Sequence, residues 1–99
     1  VTERIYRYVV PVDDAPHTIH LTLAHAGYGP LHVAATNDEV EFWAVHSDEY
    51  PDQPYTFQVV GTGHPLPPGA QWRGTAPRTP DGLVWHLVEL PVLGNEETP

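Results

Sequence analysis

Apolar and polar residues alternate along most of this chain with a period of two, the spacing that puts successive side chains on opposite faces of a strand. The clearest case is Tyr55-Thr56-Phe57-Gln58-Val59, where Tyr55, Phe57 and Val59 fall on one face and Thr56 and Gln58 on the other. This stretch runs into Val60-Gly61-Thr62-Gly63-His64-Pro65. Its two glycines permit a positive φ or a close backbone approach, and Pro65 biases His64 toward an extended conformation, which fixes the imidazole at the strand's rim. Arg4 to Val12 is rich in β-branched and aromatic residues and stops at Asp13-Asp14-Ala15-Pro16, so it is the first strand, with Pro11 at an edge or an end. His17 to Leu23 is the second, with Ile19, Leu21 and Leu23 as its apolar face. Ala24 to Pro30 reads as loop, because glycines and a proline crowd it.

Leu31–Thr36 and Glu39–Val45 predict a hairpin around Asn37-Asp38, a pair that tolerates left-handed φ. A two-residue loop sets Ala35 opposite Val40, Val33 opposite Phe42 and Leu31 opposite Ala44 on the core side. The other side carries His32 opposite Trp43 and Ala34 opposite Glu41, which leaves Trp43 exposed unless something covers it. His46 to Pro54 is an acidic loop punctuated by prolines. Gln71 to Ala76 is a short strand with Gly74 as a bulge, and Thr79-Pro80-Asp81-Gly82 is a turn in which proline fixes one φ and glycine accepts a positive one. Leu83 to Leu90 is apolar on both faces, the mark of a central strand; residues 91–99 form an acidic tail. The pattern as a whole predicts an all-β chain. It forms a single domain over residues 1–99, a small β-sandwich or open barrel of about six to seven mostly antiparallel strands.

Composition narrows the function classes. A chain of 99 residues supports one modest core, burying about 60–70% of its unfolded surface. Thirteen acids against four arginines give a formal charge of −9, a surface that repels phosphate backbones, so nucleic acid is not an expected partner. Protonating the seven histidines would remove most of that charge and so favour association in mild acid; the other reading, which comes first, is seven unrelated surface or core histidines. No apolar run is long enough to cross a membrane and the N-terminal residues do not read as a signal peptide, so no membrane partner or secretion by that route is expected. With no cysteine, no lysine and one serine, covalent catalysis lacks its usual nucleophiles, and Ser47 has no activating base near it in sequence. His46, Ser47 and Asp48 are adjacent in sequence, whereas the members of a triad converge in space.

Phe42-Trp43-Ala44-Val45, Phe57 to Pro67, Arg73-Gly74-Thr75 and Val84 to Glu89 together resemble a family of small uncharacterised proteins of bacteriophages and phage-derived bacterial loci. Its members share a tryptophan strand, a Gly-Thr-Gly-His-Pro turn, a Gly-Thr step and a terminal Trp-His strand. The resemblance covers roughly residues 4–90, and Asn37-Asp38 departs from the Asn-Gly turn of that pattern. It implies a viral setting, in the virion or the bacterial host cytoplasm, and carries no catalytic assignment.

Two expectations follow. The first is a non-enzymatic structural or interaction protein, a particle-decorating or reinforcing homo-oligomer with Tyr28, His32, Trp43 and Trp72 as contact residues. The second is an accessory protein that sequesters a small anionic ligand such as a nucleotide or metabolite, built from Gly61, Thr62, Gly63, His64, Arg73 and His86 around a shared pocket. Gly-Thr-Gly-His is not a phosphate loop of the Gly-Lys-Ser/Thr kind. His17 and His20 face opposite sides of their strand, and His64 with His86 lacks a third ligand, so no metal and no cofactor is expected.

Overall fold

The computed structural model describes residues 2–22, 25 and 28–91. Seven strands form two antiparallel sheets packed face to face as a small β-sandwich. The strands are β1 (Glu3–Pro11), β2 (His17–Thr22), β3 (His32–Ala35), β4 (Glu39–Ser47), β5 (Asp52–Gly61), β6 (Gln71–Thr75) and β7 (Trp85–Leu90). One sheet has the order β1-β4-β3 and the other β2-β5-β7-β6. The core is the set of period-two positions that face between them: Val10, Leu21, Val33, Val40, Phe42, Ala44, Phe57, Val59 and Leu87, closed by Ala76. Phe42 and Phe57, one from each sheet, meet at its centre with ring centroids 5.0 Å apart.

The hairpin adopts the register its sequence predicts, with His32 opposite Trp43, Val33 opposite Phe42, Ala34 opposite Glu41 and Ala35 opposite Val40. The Thr36 amide donates to the Glu39 carbonyl at 2.9 Å, and the Thr36 hydroxyl accepts from the Glu39 amide at 3.2 Å. β7 lies inside its sheet between β5 and β6, as a strand apolar on both faces should. The Thr79 turn closes through the Gly82 amide to the Thr79 carbonyl at 2.8 Å, with Gly82 at φ 82°.

Three expectations change, and the condition on Trp43 is met. The loop read at His46 to Pro54 shrinks, because β4 runs on to Ser47 and β5 begins at Asp52. Pro54 is tolerated there because β5 at that point has β2 as its ladder partner and has not yet met β7. The segment read as loop at 24–30 carries helical residues at His25 and Tyr28, closed by the Gly29 amide donating to the His25 carbonyl at 2.7 Å. Leu31 lies just outside β3 and is 46% exposed instead of facing the core. Trp43 is half-buried, covered by the His32 ring at a centroid distance of 5.7 Å. Of the acidic tail read at 91–99, residues 92–99 lie outside the described residues, as does Leu23 of the second strand's apolar face.

Gly74 shows why β6 can pack against β3. A Cβ on Gly74 would overlap the Val33 side chain, so only glycine lets the two sheets close at this edge. The ladder slips between Trp72 and Gly74, and the extra residue is Arg73. Such a bulge turns two neighbouring side chains toward the same side of the sheet. Here it swings Arg73 inward while Gly74 makes room.

Candidate functional site

β5 leaves its sheet at Gly61, directly opposite Trp85, where β7 enters. The departing Gly61–His64 turn and the arriving Gly82–Trp85 segment form two walls of a cleft of about 520 Å³. Gly61, Thr62, His64, Arg78, Leu83 and Trp85 are among its lining residues. Gly63 takes φ 88°, a conformation that favours glycine, and the His64 amide donates to the Gly61 carbonyl at 3.1 Å. The turn folds the imidazole back over Gly61: a Cβ there would stand 3.2 Å from His64 Nδ1 and 3.1 Å from Trp85 Cζ3. His64 is therefore exposed to solvent yet seated against the rim of the sheet.

His86 faces the outer side of the same sheet and is held at both ring nitrogens. Its Nε2 is 2.8 Å from Thr62 Oγ1 and its Nδ1 2.8 Å from Thr75 Oγ1. Trp72 Nε1 donates to Thr75 Oγ1 at 3.0 Å, and Thr62 Oγ1 donates to the Val84 carbonyl at 3.4 Å. Thr62, which gives its proton to the Val84 carbonyl, can accept from His86 Nε2–H, and Thr75, which accepts from Trp72, can give its proton to His86 Nδ1, an arrangement that the Nε2-protonated tautomer satisfies. Its chemistry is thereby spent on bracing the Gly61–His64 turn.

Arg73 stands apart from the cleft. Its Nε donates to Glu89 Oε1 at 2.9 Å and its Nη2 to Gln71 Oε1 at 2.8 Å, four residues along β7 from Trp85, or about 13 Å at the rise of a strand. Glu89 also receives His25 Nε2 at 3.2 Å. His25 is 2% exposed, packed edge-on to Tyr55 and Phe57, and its Nδ1 has no partner among the described residues. Burial pushes the Glu89 carboxyl up, but the hydrogen bonds from His25 and Arg73 outweigh it and hold the group below the usual glutamate range. Burial and the nearby Glu89 charge push the Tyr55 phenol up. This inward-facing cluster ties the His25 turn to the sheet.

Of the ligand residues expected from the sequence, Gly61, Thr62 and His64 line one cleft, Gly63 shapes their turn, His86 braces it from behind, and Arg73 serves elsewhere. Sequence reasoning missed Arg78, His25 and Glu89. Arg78 adjoins the Thr79 turn that feeds β7, and pairing β7 with the Gly61 strand was the one signal that could have placed it. Of the expected contact residues, Tyr28 is 58% and Trp72 67% exposed, and His32 is exposed beside the half-buried Trp43. They do not share a surface. Trp72 lies on the outer face of the four-stranded sheet, whereas His32 and Trp43 lie on the outer face of the other and Tyr28 borders that face beside Ile5 and Val45.

Among the described residues no group of three or more histidine, cysteine, aspartate or glutamate side chains is placed to hold a metal ion, and no helix is long and apolar enough to cross a membrane. The family described as a domain of unknown function (DUF7352) matches residues 1–98, and the chain belongs to that family. Neither a curated protein nor a solved structure matches it.

Proposed function

We propose that this protein is a non-enzymatic interaction protein of the phage type, a particle-decorating or reinforcing component that associates with its own copies. The observation that carries the reading is the outer face of the β1-β4-β3 sheet. Ile5, Tyr28 and Leu31 are 60%, 58% and 46% exposed, and with Val45 they line a hollow of about 440 Å³. Large apolar side chains left open beside one another mark contact surfaces. On this outer face Arg7 of β1 pairs with Glu41 of β4, which offsets one carboxylate on a chain whose net charge is −9. An apolar patch beside an offset carboxylate is where two acidic copies can approach with less repulsion. The resemblance to phage and phage-derived proteins supplies the setting, in the virion or the host cytoplasm.

Sedimentation velocity of the full chain tests the reading. A defined oligomer should form, and Leu31→Asp, a change at an exposed position, should convert it to monomer with the circular dichroism spectrum unchanged. A wild-type monomer at high concentration, or an oligomer indifferent to Leu31→Asp, overturns it.

The cleft at Gly61–His64 favours a second reading, a small-ligand-binding accessory protein. Its volume lies within the range of about 300–1,000 Å³ usual for small-molecule sites. A thermal shift with nucleotides or other anionic metabolites is its expected sign.

A further inference from the structure

The four arginines are not used alike. Arg4 pairs with Asp48 at 3.2 Å, Arg7 with Glu41 at 3.5 Å and Arg73 with Glu89 at 2.9 Å. Arg78 makes no ion pair among the described residues, which include eleven of the thirteen acids, and its only hydrogen bond among them is from Nη1 to the Gly82 carbonyl at 3.2 Å. That bond folds the side chain along its own turn, and Arg78 lines the cleft with Thr62, His64 and Trp85. Asp81 stands on the same turn without pairing with it. On so acidic a chain, an arginine held without a carboxylate retains a planar fork of donors for an incoming anion.

The remaining walls complete the chemistry. The amides of Thr62 and Gly63 donate to no backbone carbonyl among the described residues, and Gly63 at φ 88° gives this turn the conformation in which successive amides can point the same way. Trp85 and Leu83 offer flat and branched apolar surface. Resting on the ligand-binding reading above, we infer that the cleft binds a small molecule carrying a phosphate or carboxylate on a flat apolar body, with Arg78 as the anion's counter-charge. His64 closes over the anion from the Gly61 turn, and the apolar body lies against Trp85 and Leu83.

The test is a titration of the full chain followed by amide chemical shifts, with adenosine monophosphate, inorganic phosphate and indole-3-carboxylate as separate probes. Saturable shifts confined to residues 61–64 and 82–85 are expected with at least one of the two probes that carry a flat body; which one responds tells phosphate from carboxylate. Inorganic phosphate should bind more weakly than the responding probe. Arg78→Gln should weaken binding by about tenfold or more, as loss of a charge-assisted bidentate contact does. Arg78→Lys, which keeps the charge and loses the fork, should lose less. Arg4→Gln removes the same unit of charge from another face and should leave the affinity within about twofold. Saturable binding in the cleft that survives Arg78→Gln, or that Arg4→Gln weakens equally, overturns the assignment of Arg78 and leaves the ligand reading standing. No saturation with any probe at about 10 mM overturns both, because weaker binding would have no use as recognition.

Discussion

Glu89 ties an edge strand and a covering turn to the middle of its sheet, because it collects Arg73 from β6 and His25 from the turn packed on Tyr55 and Phe57. A carboxyl whose pKa is lower in the folded state than in the unfolded one contributes stability that is whole above its unfolded pKa and disappears as the pH falls through its folded one. Glu89 is such a group, and Asp13, held down chiefly by the hydrogen bond from His17, acts in the same direction from an exposed turn. The melting temperature should therefore fall on acidification below about pH 5, through the range where unfolded carboxylates titrate. Glu89→Gln should flatten that slope and cost about 1–3 kcal/mol at neutral pH, since hydrogen bonds to a charged group are lost. Thermal denaturation of both proteins between about pH 3 and pH 7 reads the two effects together. A variant with the wild-type slope would mean that Glu89 titrates alike in both states.

The strands owe their place to short-range pattern, but the junction of β3 with β6 depends on one missing side chain. Gly74 faces Val33 so closely that Gly74→Ala must displace it, and β6 is tied through its bulge to Arg73 and Glu89 and cannot move far. Overpacking of this kind should destabilise the fold by about 1–3 kcal/mol. Val33→Ala in the same chain should recover part of the loss, because the removed methyl groups are those the new Cβ meets. Urea unfolding of the two single variants and the double variant gives the coupling, which should favour the pair by more than about 0.5 kcal/mol. Additive effects would separate the two residues. Elsewhere the sheets are stitched by a buried bond from the Ser47 amide of β4 to the Thr22 hydroxyl of β2 at 3.1 Å, joining the layers at the opposite edge.

At the scale of the whole molecule, charge and shape act together. The smallest extent of the Cα frame is 17 Å, two sheets thick, so each sheet has one face in the core and one outward. A net charge of −9 on this thin body opposes self-association at long range, while the apolar Ile5, Tyr28 and Leu31 favour it at contact. Screening should tip the balance. Raising the salt from about 20 mM to about 300 mM shortens the Debye length several-fold, so association of the wild-type chain should tighten. Sedimentation at both salt concentrations checks this, and weaker association at high salt would point to an interface built on opposite charges.

The sequence alone determined the all-β class, the turns at Asn37-Asp38 and Thr79–Gly82, the register of the 31–45 hairpin and the inward position of Phe42 and Phe57. Each follows from alternation or turn chemistry within a few residues, and local sterics fix those without reference to the rest of the chain. Only the tertiary structure decided which charges meet. His25 finds Glu89 from 64 positions away, Arg73 turns inward at a bulge, and Arg78 reaches the cleft because β7 pairs with β5. Such partners are chosen by distance through space, which strand order and sheet packing set and periodicity does not encode.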